Sequence, residues 1–405
     1  MHICYICREY PPSLRGGGIS SYMKEIAHGM HQLGHQVTVI CASDDTRKES
    51  REEDNGVTVI RLKGGDFLIP QIEKQTLLRR FRQMYRFFYY RKRILDAVLQ
   101  LKDIDIIEIP EYGAEGYYLH NLNMPVIIRL HTPMLLDHYH FCKHSLSKSN
   151  WHYYWQGLQE LRLMKEARYL TSCSTSLKEW AEQYAKVQKN KTKVIYNPID
   201  TNAWDNYHRC KTANEIKEIL FAGTICDWKG CGDLAEACHL LHQQYPELKF
   251  RLSLVGKTGA YADQLKEKFD NDSWFNLVGK VKREDLMQRY TTADLICFPS
   301  WWENMPMVCI EAMLCGGIVL GSCSGGMNEI IENGVSGFLI EPKNVPNLSN
   351  QLARLLDLSE EEKESISARA QQRIKATFSL DVILKQQVTF YQDTISDYNR
   401  NNHDK

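Results

Sequence analysis

The sequence predicts an α/β protein built from two parallel-sheet units in tandem. Short apolar runs of strand length alternate with longer segments whose apolar residues recur at helical spacing, which is typical of a parallel sheet covered by helices. The alternation is interrupted by a polar stretch from Asn197 to about Asn214 and then restarts, which predicts a hinge between two domains. The length of 405 residues also suits two domains.

In the first half, a strand at 2–7 leads into a loop rich in proline and glycine, and a helix follows from Ile19 until Gly34 ends it. Cys4 and Cys7 have C-x-x-C spacing, but positions three apart on a strand face opposite sides, so we expect two core residues. The other strands of this half are predicted at 36–40, 57–61, 104–109, 125–130, 168–173 and 192–196.

The second half opens with a strand from Lys217 to Phe221, a loop flanked by glycines and a helix from about Cys231. Residues after about 345 are predicted to be helical, and the last segment is expected to cross back onto the first half. Further strands are predicted at 248–255, 275–278, 294–298, 317–321 and 337–340.

The composition excludes several classes of protein. Apolar residues make up 43% and charged residues 25%, which excludes a disordered chain. Fifty basic residues balance fifty acidic ones, so a nucleic-acid partner is disfavoured. No run has the length of a transmembrane helix, and the first residues lack the pattern of a signal peptide. Thirteen cysteines scattered in apolar segments are typical of reduced thiols, so a cytoplasmic protein is expected.

The most informative segment follows the predicted strand at 294–298. Pro306 stands where a first helical residue would, which leaves the free amides near 305–308 directed into a cleft. A helix N-terminus of this kind favours phosphate oxygens.

Two glutamates belong to the same segment. Glu311 lies among apolar neighbours, where an unpartnered carboxylate would cost several kcal/mol. A ligand diol such as a ribose would satisfy it; a structural hydrogen bond to the backbone or to an arginine is the alternative. Glu303 lies in the preceding loop, nearer to where a sugar would bind, and a charge that complements the helix dipole is the alternative.

Three further positions follow predicted strands. The loop 221–230 joins a strand to a helix and carries Lys229, and the glycines at 16–18 open the first helix, so both suit an anion. Plain turns explain either loop as well. His131 ends the strand at 125–130 and is expected at the rim of a cleft, where it could contact a sugar hydroxyl. His138, His140, His144 and His152 have no metal spacing, and no metal is expected.

Together these residues resemble the family-4 retaining glycosyltransferases, and the resemblance covers nearly the whole chain. It is carried by Pro11-Pro12, Gly17-Gly18-Ile19, the segments 33–37 and 194–200, and the E-x7-E pair of Glu303 and Glu311 followed by the segment 325–337. It implies the GT-B fold, two Rossmann-like domains facing each other across a cleft. The expected domains are an acceptor-side domain of residues 1–197, completed by a C-terminal helix at about 380–405, and a domain of residues 198–379 that binds the nucleotide sugar.

The resemblance also implies the role of each site residue. Glu311 would hold the donor ribose, Glu303 and His131 would lie at the donor sugar, and Lys229 would neutralise the diphosphate. Gly17 and Gly18 would cap the diphosphate from the first domain. Further contacts with the nucleotide sugar are implied for the backbone of Asn304, Met305, Pro306 and Met307 and for the strand end at Val281. The family usually has arginine where this chain has Thr224, so a bidentate cation is missing unless Arg15 or Lys257 replaces it.

The implied reaction moves a sugar from a UDP- or GDP-linked donor to an acceptor hydroxyl of a carbohydrate or lipid-linked molecule, as in polysaccharide or glycolipid synthesis for the cell envelope. The donor is a co-substrate, and no cofactor is expected. A sugar-nucleotide epimerase or phosphorylase of the same fold, and a non-catalytic nucleotide-sugar-binding protein, are the alternatives.

Residues 71–100 hold eight basic and two acidic residues, a net charge of +6. Leu78, Phe81, Tyr85 and Phe88 share one helical face, and Arg79, Arg82, Arg86 and Arg93 form a stripe beside it. Such a helix suits an anionic membrane surface and would place the protein on the inner face of a membrane. A domain helix with a solvated basic face is the alternative.

Overall fold

The computed structural model describes residues 1–14, 17–45, 48–63, 77–136, 151–210 and 215–403. The chain divides into two compact units, which are described separately. One unit comprises Met1–Pro198 together with Leu380–Lys405, and the other comprises Ile199–Ser379.

The first unit is built on an eight-stranded sheet. Its strands are β1 (His2–Ile6), β2 (Gln36–Ala42), β3 (Ser50–Asp54), β4 (Val57–Leu62), β5 (Ile106–Pro110), β6 (Val126–Leu130), β7 (Tyr169–Ser172) and β8 (Thr192–Val194). They are ordered β3-β4-β2-β1-β5-β6-β7-β8. All neighbours are parallel except β3 and β4, so the carboxyl ends of seven strands share one edge.

The predicted strands of the first half are all present, with ends that differ by a few residues. The sequence did not predict β3, because its residues are Ser-Arg-Glu-Glu-Asp and show no apolar alternation. It forms by antiparallel pairing with β4 at the border of the sheet, where charged side chains also discourage pairing with another chain. Cys4 and Cys7 are buried core residues, as predicted.

Helices of the first unit pack on this sheet. They are α1 (Gly18–Gln32), α2 (Leu77–Gln100), α3 (Met134–Leu136), α4 (Trp151–Glu166) and α5 (Thr175–Tyr184). The helix predicted from Ile19 is α1, and Gly34 follows its end with a φ of 85°, a backbone conformation that favours glycine. Residues 112–121 form an irregular 3₁₀ segment after β5.

The second unit has a six-stranded, wholly parallel sheet. Its strands are β9 (Lys217–Ala222), β10 (Phe250–Val255), β11 (Phe275–Gly279), β12 (Leu295–Phe298), β13 (Val319–Ser322) and β14 (Phe338–Ile340), in the order β11-β10-β9-β12-β13-β14. Helices cover it: α6 (Cys231–Gln244), α7 (Ala260–Phe269), α8 (Arg283–Thr292), α9 (Met307–Leu314), α10 (Met327–Ile330), α11 (Val345–Leu356) and α12 (Glu360–Phe378). Every strand predicted for this half is present. Its core combines β9, β10 and β12 with α6 and α11.

Helix α2 has the basic and aromatic character that the sequence predicts, but its faces are partly used inside the unit. Phe81 and Tyr85 are exposed, whereas Phe88 packs edge-on against the rings of Tyr117 and Trp155. Arg93 pairs with Glu49. Residues 71–76 and the side chains of Leu78, Arg79 and Arg82 lie outside the described part.

Within the described ranges, no helix is long and apolar enough to cross a membrane. No cluster of three or more His, Cys, Asp or Glu that could hold a metal occurs among these residues either. His138, His140 and His144 lie outside the described residues, as does the side chain of His152.

The last helix, α13 (Leu380–His403), belongs to the first unit and packs against α1. A buried carboxylate fixes it there. Glu108 on β5 accepts hydrogen bonds from the Tyr22 hydroxyl of α1 (2.9 Å), and from the Tyr391 hydroxyl (2.8 Å) and the Gln387 amide (2.9 Å) of α13. Gly29 of α1 lies so close to Leu384 that a Cβ there would stand 2.6 Å from its methyl carbon. The helix is therefore an integral part of this unit.

Replacing Tyr391 by Phe should destabilise the first unit. The change removes one donor from the buried Glu108 carboxylate, and hydrogen bonds to charged groups contribute about 1.5–3 kcal/mol. We expect a lower midpoint in urea and thermal unfolding. Tyr398→Phe is the matched control, since its hydroxyl donates a longer bond, 3.4 Å, to the uncharged Leu122 carbonyl oxygen. Equal stability of the two variants would contradict the anchoring role of Glu108.

Candidate functional site

The second unit brings two loops together because of its strand order. Strands β9 and β12 are far apart in sequence but are parallel neighbours, with Ile219 opposite Leu295. The loop that carries Lys229 follows β9, and the loop that carries Glu303 follows β12. Both loops therefore leave the carboxyl edge of the sheet side by side, which is where ligands bind in such sheets.

Lys229 and Glu303 form an ion pair there, between the Lys229 Nζ and the Glu303 Oε1. The Ser300 hydroxyl donates a hydrogen bond of 2.9 Å to the same oxygen, and the Lys229 ammonium lies 4.1 Å from the centre of the Trp228 ring. The two charged side chains are only 18% and 13% exposed. The site therefore holds one positive and one negative group, each mostly buried and each positioned by a second contact.

Close backbone contacts hold these loops in place. Gly230 has a φ of 71°, and a Cβ there would lie 2.1 Å from the Pro299 carbonyl oxygen. The Trp301 amide donates to the Trp228 carbonyl oxygen (2.8 Å). On the other side, the Gly326 amide donates to the Glu303 carbonyl oxygen (2.7 Å), and a Cβ on Gly325 would lie 2.0 Å from that oxygen. The position of Glu303 thus depends on glycines in two neighbouring loops.

Helix α9 begins one residue later than predicted. Pro306 has a ψ of 103° and is the N-cap, not the first helical residue, because its carbonyl oxygen already accepts the first bond of the helix, from the Cys309 amide (3.0 Å). The amides of Met307 and Val308 therefore precede the intrahelical bonds and form the anion-favouring end of the helix dipole. Met305 is buried, and the Asn304 side chain accepts a hydrogen bond from the indole of Trp302 (2.9 Å).

Glu311 has a partner that the sequence prediction placed second to a ligand diol. Its Oε1 lies 3.3 Å from the guanidinium of Arg283, the first residue of α8, which packs against α9. Burial raises the pKa of the Glu311 carboxyl, and Arg283 opposes that shift. The contact is long and Arg283 is 60% exposed, so the carboxylate keeps the capacity to accept hydrogen bonds from a ligand.

The other predicted residues of the second unit lie at the same sheet edge. Thr224 is exposed and follows Gly223 at the end of β9, and Val281 follows the end of β11 by two residues. Between them, a Cβ on Gly256 at the end of β10 would lie 1.7 Å from the Gly223 carbonyl oxygen, so the two strand ends are in close contact. Lys257 is exposed beside them, and Arg15 lies outside the described residues.

Three predicted residues belong to the first unit. Gly17 and Gly18 are exposed at the start of α1, where Gly17 is the N-cap, and a Cβ on Gly18 would meet no atom within 4 Å. His131 directly follows β6, but it is buried and not at an exposed rim, since Tyr22 of α1 packs edge-on against it at 4.9 Å between ring centres. Burial and the nearby Arg129 hold the pKa of His131 well below its usual value, so its imidazole is neutral.

Sequence reasoning missed two buried glutamates beside His131. Glu111 accepts hydrogen bonds from the His131 amide (2.9 Å) and the Thr132 amide (2.6 Å), and Glu160 of α4 accepts from the Met134 amide (2.7 Å). Burial raises the pKa of Glu111 to about 8 and that of Glu160 to about 7. These carboxyls fix the backbone that carries His131. Glu111 did carry a signal, because it comes directly after a buried strand, at Pro110-Glu111. Glu160, Arg283 and Ser300 carried no such signal.

Models of known protein families match both halves of the chain. The profile of "Glycosyltransferase Family 4" matches residues 16–203, and that of "Glycosyl transferases group 1" matches residues 207–373. An uncharacterized glycosyltransferase of Methanocaldococcus jannaschii is 26% identical over 97% of this chain and 98% of its own length.

Solved structures are similar over almost the whole chain. Sucrose-phosphate synthase from Thermosynechococcus elongatus has a TM-score of 0.78 at 18% identity and covers 98% of this chain and 99% of its own. The Anabaena protein HepE, solved in complex with UDP-glucose, has a TM-score of 0.67 at 19% identity and covers 98% of this chain and all of its own. The fold is the two-domain α/β architecture of the GT-B glycosyltransferases, as the resemblance implied.

Replacing Gly325 by Ala should cost more stability than the same change at Gly334. Both glycines have a positive φ, 68° and 77°, which costs an L residue about 1–2 kcal/mol. A Cβ at Gly334 meets nothing within 4 Å, whereas at Gly325 it collides with the Glu303 backbone and should add about 1–3 kcal/mol. Urea unfolding of both variants measures the difference. Equal losses of stability in the two variants would show that the loops carrying Glu303 and Gly325 do not depend on this contact.

Proposed function

Because the protein belongs to the group 1 family of glycosyl transferases and has the GT-B fold, we propose that it moves a sugar from a nucleoside-diphosphate sugar to an acceptor hydroxyl, with retention of anomeric configuration. The observation that carries this proposal is the Lys229–Glu303 pair at the carboxyl edge of the second sheet. It places a cation, which can stabilise the leaving phosphate, next to an anion, which can stabilise the positive charge that develops on the sugar.

Support for this donor class comes from the site and from a structural neighbour. The anion-favouring end of α9 and the Lys229 ammonium lie on loops from the same sheet edge, which suits a diphosphate. HepE of Anabaena was solved with UDP and with UDP-glucose. We propose a UDP- or GDP-linked sugar as the donor.

In the proposed reaction, the glycosidic bond to the diphosphate breaks and negative charge grows on the leaving phosphate. Lys229, Thr224 and the amides of Met307 and Val308 stabilise that charge, the kind of preorganised electrostatic effect that often contributes most to catalysis. The diphosphate competes with Glu303 for the Lys229 ammonium. Glu303 then faces the sugar, whose anomeric carbon becomes positive.

Glu311 is proposed to accept hydrogen bonds from the two ribose hydroxyls of the donor. Its burial in α9 makes a partner necessary, and the long contact to Arg283 leaves lone pairs for a ligand. The strand end at Val281 is proposed to meet the nucleobase. Contacts between the nucleotide sugar and Gly17, Gly18 and His131 of the first unit remain predictions.

The leaving phosphate, and no protein base, is proposed to accept the proton of the attacking hydroxyl. The proposal needs no metal, because Lys229 and the α9 amides supply the positive field. Thr224 can donate one hydrogen bond to phosphate, where an arginine would donate two. The acceptor is proposed to be a carbohydrate or a lipid-linked molecule. Helix α2, with its exposed Phe81 and Tyr85, is proposed to contact an anionic membrane surface.

The direct test is acceptor-dependent release of nucleoside diphosphate. A panel of UDP- and GDP-sugars is first screened by thermal shift, since a ligand at 100 times its Kd adds about 2.7 kcal/mol of stability. Release that requires an added acceptor supports transfer. Binding without release, under every acceptor offered, would favour a nucleotide-sugar-binding protein, and conversion of the donor sugar alone would favour an epimerase.

Lys229→Ala should lower kcat/KM by about 100-fold or more, equal to about 2.7 kcal/mol, because it removes the cation from the leaving diphosphate. The matched control is Lys249→Ala. Lys249 also pairs with a glutamate, Glu215, but it precedes β10 at the amino edge of the same sheet. Steady-state kinetics of both variants, with Tm checked, should separate them. Near-normal turnover of Lys229→Ala would remove Lys229 from the mechanism.

Glu311→Ala should weaken nucleoside-diphosphate binding by about 1.5–3 kcal/mol, the value of hydrogen bonds to a charged group. Arg283→Ala is the control, because it removes the partner of Glu311 while leaving the carboxylate in place, and it should retain nucleotide affinity. Isothermal titration calorimetry measures both. An unchanged Kd in Glu311→Ala would refute the ribose contact.

A further inference from the structure

The first unit contains a cavity that the proposed reaction does not use. It has a volume of about 330 Å³, within the range of small-molecule sites. Val126, the first residue of β6, and Tyr169, the first residue of β7, both line it. Since β6 and β7 are parallel, the cavity lies toward the amino edge of the sheet, opposite the edge where Glu111 and His131 follow β5 and β6.

The cavity has an apolar floor and aromatic walls. Val126 and Ile128 lie two apart on β6, so both face the cavity from one side of the sheet, and Leu163 of α4 completes the floor. The rings of Tyr117, Tyr169 and Tyr398 line the walls. Tyrosine offers a flat apolar ring and a polar hydroxyl, which suits a ligand with both apolar and polar faces.

Each arginine that lines the cavity is paired with a carboxylate. Arg162 pairs with Glu166 (2.8 Å), which also lines the cavity, and Arg168 pairs with Asp397 (2.9 Å), which lies next to the lining. The four side chains are 41–64% exposed, so their remaining donors and acceptors face solvent. Because a carboxylate neighbours each of these guanidiniums, a phosphate or carboxylate ligand gains little from them. A guanidinium beside a carboxylate instead provides a planar donor next to a planar acceptor, which matches neighbouring hydroxyl groups.

We propose that this cavity binds a neutral carbohydrate. The apolar face of a sugar ring would pack on the tyrosine rings, and its hydroxyls would bond to the Arg162–Glu166 and Arg168–Asp397 pairs. The site lies at the opposite sheet edge from the His131 loop, so it would hold a glycan without presenting it for reaction. This inference does not depend on the proposed transfer.

The test is binding of the full-length protein, without donor, to an array of neutral oligosaccharides, followed by calorimetry with the oligosaccharide retained best. Two variants probe the cavity: Tyr398→Ala removes a wall, and Ala167→Trp fills the space beside α4. Each should weaken binding at least tenfold. Tyr245→Ala changes an exposed tyrosine of the second unit that does not line the cavity, so it is the matched control and should bind like the parent.

Three outcomes would overturn the proposal. No retention of any neutral oligosaccharide is one, and unchanged affinity in a folded Ala167→Trp variant is the second. Loss of binding in Lys229→Ala is the third, because it would place the glycan at the other site. Transferase activity is not measured in this experiment, so the binding result can be interpreted even if the proposed reaction is wrong.

Discussion

The candidate site depends on one pairing, that of β9 with β12. These strands are neighbours in a parallel sheet although α6, β10, α7, β11 and α8 lie between them in the chain. Their adjacency places the loops that follow them side by side, and the close contacts at Gly230 and Gly325 then fix how those loops meet. A local motif alone could not produce this arrangement, since Lys229 and Glu303 meet only when β9 and β12 have paired.

The ion pair at this edge is costly for the protein by itself. Lys229 and Glu303 are both mostly shielded from water, and each needs the other to offset the free energy of desolvation. A ligand that carries both a negative and an incipient positive centre can replace this mutual pairing without leaving either charge alone. The same logic applies to Glu311, whose burial is only partly compensated by Arg283. The protein thus holds its polar groups ready in a form that a charged, hydroxylated molecule completes.

Much of this organisation was predictable from the sequence, for reasons that the structure makes clear. Buried parallel strands are nearly continuous apolar runs, so every strand of the two sheets except β3 was predicted. Pro306, shortly after the strand at 294–298, located α9 and its loop. What escaped prediction depends on packing between distant segments. An arginine was the expected alternative partner of Glu311, but nothing in the spacing pointed to Arg283. The burial of His131 against Tyr22, and the support of its loop by Glu111 and Glu160, likewise depend on which helices lie on which strands.

The membership of α13 in the first unit has a consequence for how the protein is made. The chain leaves this unit at Pro198 and rejoins it only at Leu380, while the ends of the second unit meet where the Ile199 amide bonds to the Phe378 carbonyl oxygen. On the ribosome, the second unit therefore has all of its residues before the first does. Until the final helix emerges, the groups that it covers, Glu108 and Tyr22 among them, face water or a chaperone, so the part synthesised first is the last to be completed.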